Sequence, residues 1–215
     1  MITLKGTDLV VGDTTEDLRR RRKAAPIHDL VGRMHRELKG SDPQDVVGLA
    51  EQLVGASFTG RTLAYLLLGR GWGSAAGIRT RRIEALGAGI ASWHHSDVFC
   101  SGVAGPAWRE GRLSDAAVRR WTRNDDELWR RNALVSTISL NLRSWGGSGD
   151  VERTIDVCSR LVADRDPVVQ KALSWALRTL IAVDREAVER FLSGHDVAAR
   201  VRRETRSKLD TGTKR

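Results

Sequence analysis

Apolar positions recur along the chain at helical spacing. Val169, Ala172, Leu173, Ala176 and Leu180 fall at i, i+3, i+4, i+7 and i+11, one continuous stripe. Arg131, Leu134, Val135 and Ile138 repeat the first four of those offsets. Alternation of the strand-forming kind is rare, and 4 prolines punctuate 215 residues. The pattern predicts helices over 15–38, 43–54, 61–68, 79–90, 96–103, 107–110, 114–123, 127–142, 151–163, 167–183, 185–193 and 195–209. Asp42-Pro43, Ser114-Asp115 and Asp166-Pro167 read as helix starts, with a side chain able to accept from the first free amides. Gly146, Gly147 and Gly149 mark a loop after Trp145.

Helix pairs of this length, repeated without strands, predict an all-α fold: an α-solenoid of HEAT-like helical repeats with a concave basic face. An irregular helical bundle is the alternative. Residues 1–210 read as a single domain, with 1–42 the weakest part of the pattern, and 211–215 as a flexible basic tail.

Charge narrows the partners. Lys plus Arg number 36 against 27 Asp plus Glu, a net charge of +9. That excess favours an anionic partner, most simply nucleic acid or an anionic surface, though basic residues also raise solubility. No apolar run approaches the ~20 residues needed to span a bilayer, and the start lacks a basic-then-apolar leader pattern. Cys100 and Cys158 are the only cysteines, which excludes a disulfide framework and a thiolate zinc cluster. The expectation is a cytoplasmic protein, nucleoid-associated when bound to DNA, with no membrane partner and no metal or organic cofactor. Phosphate-cradling glycine loops, the serine-hydrolase elbow and the H-E-x-x-H zinc motif do not occur.

Four residues are out of character for their local pattern. Trp175 lies opposite the apolar stripe of its helix, with Lys171 and Arg178 at i−4 and i+3. A tryptophan between two cations fits a surface that touches sugars while the cations hold phosphates, or else a packing contact with a neighbouring repeat. Arg131 lies on an apolar stripe, so it needs a carboxylate such as Asp97, a phosphate, or a route to the rim. Trp93 and Asp97 are four apart and share a face if helical. A carboxylate beside aromatic faces can stabilise a developing cation or activate a water. Ser96-Asp97 could instead be a helix cap. His94 and His95 diverge, and with Asp97 and Cys100 they have poor spacing for a metal. Arg202, Arg203, Arg206 and Lys208 form a basic cluster in the last helix, facing either phosphates or solvent.

The segments Ser92-Trp93-His94-His95-Ser96-Asp97, Leu128-Trp129-Arg130-Arg131-Asn132-Ala133 and Val169-Gln170-Lys171-Ala172-Leu173-Ser174-Trp175-Ala176-Leu177-Arg178 occur in that order, followed by 201–209. The chain thereby resembles the HEAT-like-repeat alkylpurine DNA glycosylases, the AlkD type of the DNA alkylation repair family, from about 43 to 212. The resemblance implies a monofunctional glycosylase. It would act as a monomer on double-stranded DNA, excising cationic N3- and N7-alkylated purines without base flipping. It implies that Asp97 is the catalytic carboxylate, that Trp93 and Trp175 touch the lesion's sugar, and that Arg131 holds the phosphate backbone beside it. A catalytically silent DNA binder on the same scaffold is the alternative. The chain departs from the family in His94-His95 after the first Trp, and in having no aromatic before Phe58.

Overall fold

The structure, a computed structural model, describes residues 2–4, 7–9 and 25–212. Its contacts divide the chain into two compact units, Met1–Ala88 and Gly89–Arg215. The fold is an all-α helical repeat, to which the described residues add one pair of strands that the sequence pattern does not predict. Ile2–Leu4 (β1) and Thr7–Leu9 (β2) pair as a short antiparallel hairpin, a register too short for alternation to have signalled it. Of the helix predicted over 15–38, the part before residue 25 lies outside the described residues.

In the first unit, Ala25–Glu37 (α1) and Pro43–Ala56 (α2) are followed by Phe58–Leu67 (α3), and α3 packs against both. Asp42 caps α2 by accepting from the Gln44 amide, with Pro43 in the first turn as its sequence predicts. After α3 the chain makes a π-helical turn, Leu68–Trp72. Gly71 breaks it at φ 99°, a conformation that costs glycine little and other residues much. Thr80–Gly87 (α4) completes the unit.

The second unit holds Trp93–Phe99 (α5), Gly105–Arg109 (α6), Asp115–Trp121 (α7), Glu127–Asn141 (α8), Val151–Arg160 (α9), Pro167–Leu180 (α10), Arg185–Gly194 (α11) and Ala199–Thr211 (α12). Alternate helices stack: α8 on α10, α10 on α12, and α7 on α9. Packing of each helix on the next but one is what a stack of helix pairs produces. The predicted stripe of α10 is buried throughout, and so are Arg131, Leu134, Val135 and Ile138 of α8.

Helix α8 goes further than its stripe. From Arg131 to Asn141 every residue is buried, because α5, α6, α7, α9 and α10 all pack on it. Burial there favours polar residues that find partners inside the core, and Asn141 is the clearest case. Asn141 donates to Thr154 Oγ1 at 2.8 Å and accepts from the Asp150 amide at 2.9 Å. The last helix starts at Ala199, not 195. His195 instead makes a local turn, its carbonyl accepting from the Val197 amide at 3.1 Å. Thr211 belongs to α12, which Gly212 closes in the left-handed conformation; the rest of the predicted tail lies outside the described residues.

Candidate active site

The site is built on α5, α8 and α10, all in the second unit. Helix α5 begins at Trp93, three residues before its predicted start. Ser92 is extended and its hydroxyl accepts from the His95 amide, so the cap lies one turn earlier than Ser96-Asp97. Ser96 is inside the helix, buried, and donates to Asn132 Oδ1 at 2.6 Å. That bond ties α5 to α8. Below it, Phe99 packs in a cluster with Trp121 and Trp129, ring centroids 4.9 to 6.5 Å apart. The helix then widens into a π-helical turn, Cys100–Ala104. A Cβ on Gly105 would collide with Ser139 and the Cys100 carbonyl, so glycine is what lets this turn lie against α8. Both cysteine thiols are buried, and burial pushes their pKa values up, which makes them inert.

Trp93 and Asp97 therefore share one face of a rigidly seated helix. Trp93 is 57% exposed, unusual for an indole. Lys171 from α10 places its Nζ 5.4 Å from the Trp93 ring centroid. His94 lies edge-on to Trp93, centroids 6.4 Å apart, and His95 is buried.

Of the partners the sequence leaves open for Arg131, the structure supplies the carboxylate. Arg131 Nη2 and Nε donate to Asp97 Oδ1 at 2.6 and 3.1 Å. Nη1 donates to the Val168 carbonyl at 3.0 Å, reaching the first turn of α10. The arginine side chain is 3% exposed and the aspartate 24%. One buried guanidinium thus joins the carboxylate on α5 to the helix that carries Lys171 and Trp175.

Burial is the largest influence on the Asp97 carboxyl and raises its pKa; Arg131 opposes it, with smaller help from His94 and Lys171, and the net direction is upward. The group is therefore more basic than an ordinary aspartate.

Helix α10 is fixed by Asp166, which accepts from the Val168 and Val169 amides with Pro167 in the first turn. Trp175 is partly exposed and meets the edge of Trp145, centroids 5.8 Å apart at 77°. Trp145 belongs to the site's surroundings but carried no periodic signal; its place before the glycine loop was the only clue. Arg178 is partly buried and donates to the Ser174 carbonyl and hydroxyl, both at 3.2 Å.

The C-terminal basic cluster is divided by the structure. Arg202 donates to the Leu192 and His195 carbonyls, at 2.9 and 3.2 Å, and so braces the turn before α12. Arg203 and Arg206 are exposed on one face, three apart. Lys208 lines a cleft with Trp175 and Arg178. Between them lies Glu204, which accepts from Ser174 Oγ at 2.7 Å and Arg200 Nε at 2.9 Å. Burial pushes its pKa up, but Ser174, Arg200 and Arg178 outweigh that and hold it below the ordinary value. Among the described residues no cluster of His, Cys, Asp and Glu could hold a metal ion, and no helix is long and apolar enough to cross a membrane.

The site thus holds a carboxylate locked by a buried arginine, beside an exposed indole and a lysine. Comparison with known proteins supplies the partner. The family model described as DNA alkylation repair enzyme matches residues 23–209. The chain belongs to the DNA alkylation repair enzyme family. No curated protein matched the chain. Membership gives it a role as an enzyme in the repair of alkylated DNA, with DNA as substrate. The match spans the whole of α5 to α10, so the Asp97–Arg131 pair lies within the matched residues.

Proposed function

We propose that the protein is a monofunctional alkylpurine DNA glycosylase of the AlkD type, acting on duplex DNA. The observation that carries this reading is the Asp97 carboxylate, fixed by Arg131 and flanked by Trp93 and Lys171. A surface that only bound DNA would gain nothing from a carboxylate, which repels phosphate.

The chemistry follows from charge. A purine alkylated at N3 or N7 is cationic, so it takes the electron pair of its bond to C1′ and leaves neutral. The sugar becomes oxocarbenium-like as that bond breaks. Both Arg131 hydrogen bonds fall on Oδ1, and we assign Oδ2 to the sugar cation and to the attacking water. Water adds its oxygen to C1′ and yields its proton to Asp97 or to solvent. The products are the free alkylpurine and an abasic site in an intact strand. A carboxyl more basic than usual suits the proton-accepting part of this role.

Trp93 and Trp175 contribute aromatic faces to the sugar, on the order of 1 kcal/mol each. Lys171, Arg178, Arg203, Arg206 and Lys208 hold phosphates, and Arg131 acts as the positioning residue for Asp97. Excision proceeds with the lesion still stacked in the duplex. The enzyme works as a monomer and without a cofactor.

The test is a time course on two duplexes, one with a single N7-methylguanine and one with a single hypoxanthine, developed with alkali. Release of N7-methylguanine at least ~10³-fold faster is expected, since the neutral base must leave as an anion. Equal rates would mean that an acid such as His94 protonates the leaving base and that the cation-only scheme is wrong.

A further inference from the structure

A second feature of the same unit extends the surface assigned above to sugar and phosphates, since Trp175, Arg178 and Lys208 belong to both. A cleft of about 760 Å³ opens between the loop after α8 and the C-terminal half of α10. Among the described residues three cations line it, each from a different element: Arg143 from the loop, Arg178 from α10 and Lys208 from α12. The hydroxyls of Ser144 and Ser148 join them, no carboxylate among the described residues lines the cleft, and Trp175 forms one wall. A volume of this size suits a ligand of nucleotide dimensions.

The loop is built to hold its shape. Arg143–Trp145 form a 3₁₀ turn that ends at Gly146, φ 82°. The Arg109 guanidinium donates to the Ser139 and Trp145 carbonyls at 3.0 and 2.8 Å. The Gly147 and Gly149 amides return to the Leu142 and Leu140 carbonyls at 3.0 and 2.9 Å. Gly147 lies so close to α8 that a Cβ there would come within 2.6 Å of the Leu140 backbone. Arg143 and Ser144 are thus exposed side chains on a braced support, which reduces the ordering cost of binding.

The three cations are not equivalent. Arg178 is bonded to Ser174, and Glu204 lies 3.9 Å from its Nη2, so its charge is partly answered inside the protein. Lys208 donates to the Gly212 carbonyl and retains two further N–H donors. Arg143 and Lys208 are the cations best able to meet an anion.

We propose that this cleft seats a backbone phosphate of the DNA strand beside the sugar that meets Trp175, with Arg143 and Lys208 as its ligands and the hydroxyls of Ser144 and Ser148 on the same group. The assignment rests on the glycosylase reading. The cleft shares Trp175 with the candidate active site, so a strand lying along α10 passes from one to the other. The edge contact of Trp145 on Trp175 couples the loop to that indole.

The experiment uses the full chain carrying Asp97→Asn, so that the lesion stays in place, and a duplex with one N7-methylguanine. A methylphosphonate, which removes one backbone charge, is walked across the positions flanking the lesion while Kd is measured at several salt concentrations. One position should weaken binding in the parent but not after Arg143→Gln with Lys208→Gln. The log–log salt dependence of that variant should be shallower by about 0.9 for the phosphate it no longer holds. A penalty that persists at every position in the variant, or an unchanged salt dependence, overturns the cleft assignment. If the double variant does not melt like its parent, Arg143→Gln alone, at an exposed loop position, repeats the comparison on the same criteria. Wild-type excision of N7-methylguanine separates the two claims. Excision with a methylphosphonate profile indifferent to the substitutions sinks the cleft alone, whereas no excision sinks the reading on which it rests.

Discussion

Arg131→Ala isolates the contact on which the site's geometry depends. The substitution removes a buried guanidinium that answers Asp97 at 2.6 Å and the Val168 carbonyl at 3.0 Å. Breaking a buried pair by deleting one partner costs about 3–5 kcal/mol, since the other charge is left uncompensated. Asp97 is 24% exposed and can recruit water, so the lower end applies, about 3 kcal/mol. For a chain of this size that corresponds to a fall in Tm of about 6–12 °C, at ~2–4 °C per kcal/mol. The unfolding is well reported by fluorescence, since six of the seven tryptophans (93, 108, 121, 129, 145 and 175) lie in the second unit. The loss should also depend on pH. Burial already raises the Asp97 pKa, and without Arg131 it rises further. A raised carboxyl favours the folded state when protonated and loses that contribution as pH climbs through the folded value. The deficit of the variant should therefore be full at neutral pH and shrink as the solution is acidified through the Asp97 pKa. A loss below about 1 kcal/mol, flat across this range, would refute the argument, because that is how an exposed pair behaves.

Three further outcomes follow from the same geometry. The single-turnover excision rate should rise with pH along a limb set by ionisation of Asp97, lying above the ~3.9 of a free aspartate; a rate independent of pH down to that value would remove Asp97 as a proton acceptor. Gly105→Ala should destabilise the protein by about 1–3 kcal/mol in urea unfolding, because its Cβ collides with Ser139 and the Cys100 carbonyl; a neutral result would mean that the π-helical turn can move off α8. Lys171→Met should weaken duplex binding and flatten its log–log salt dependence by about 0.9; an unchanged dependence would confine Lys171 to covering the Trp93 ring.

Much of the architecture was legible in the sequence, and the reasons are local. The α10 stripe and the Asp42, Ser114 and Asp166 caps occur in the structure as read, because periodicity and capping need only neighbours in the chain. Helix α5 was misplaced at its start because Ser92 and Ser96 are both good caps, and what decides between them is the Ser96–Asn132 bond, 36 residues away in sequence. The hairpin was missed because three-residue strands carry no period. Among the site residues, the unusual position of Arg131 signalled a buried partner, but sequence could not choose between carboxylate and phosphate. Only packing of α5 on α8 brings Asp97 to it. The basic cluster of the last helix looked uniform in sequence. Tertiary contacts turn Arg202 onto carbonyls and Lys208 toward the Trp175 cleft, leaving Arg203 and Arg206 exposed.

The central claim is that the Asp97 carboxylate, and not the basic surface around it, breaks the glycosidic bond. Asp97→Asn preserves the shape and keeps an oxygen to accept from Arg131, so the fold and the DNA-binding face should survive. The decisive measurement is single-turnover release of N7-methylguanine from duplex DNA by this variant, with Kd for the same duplex measured alongside. Loss of release by at least ~10³-fold is expected, about 4 kcal/mol of transition-state stabilisation, with binding equal to or tighter than that of the unaltered protein. Release at the unaltered rate by a variant that binds normally would contradict it.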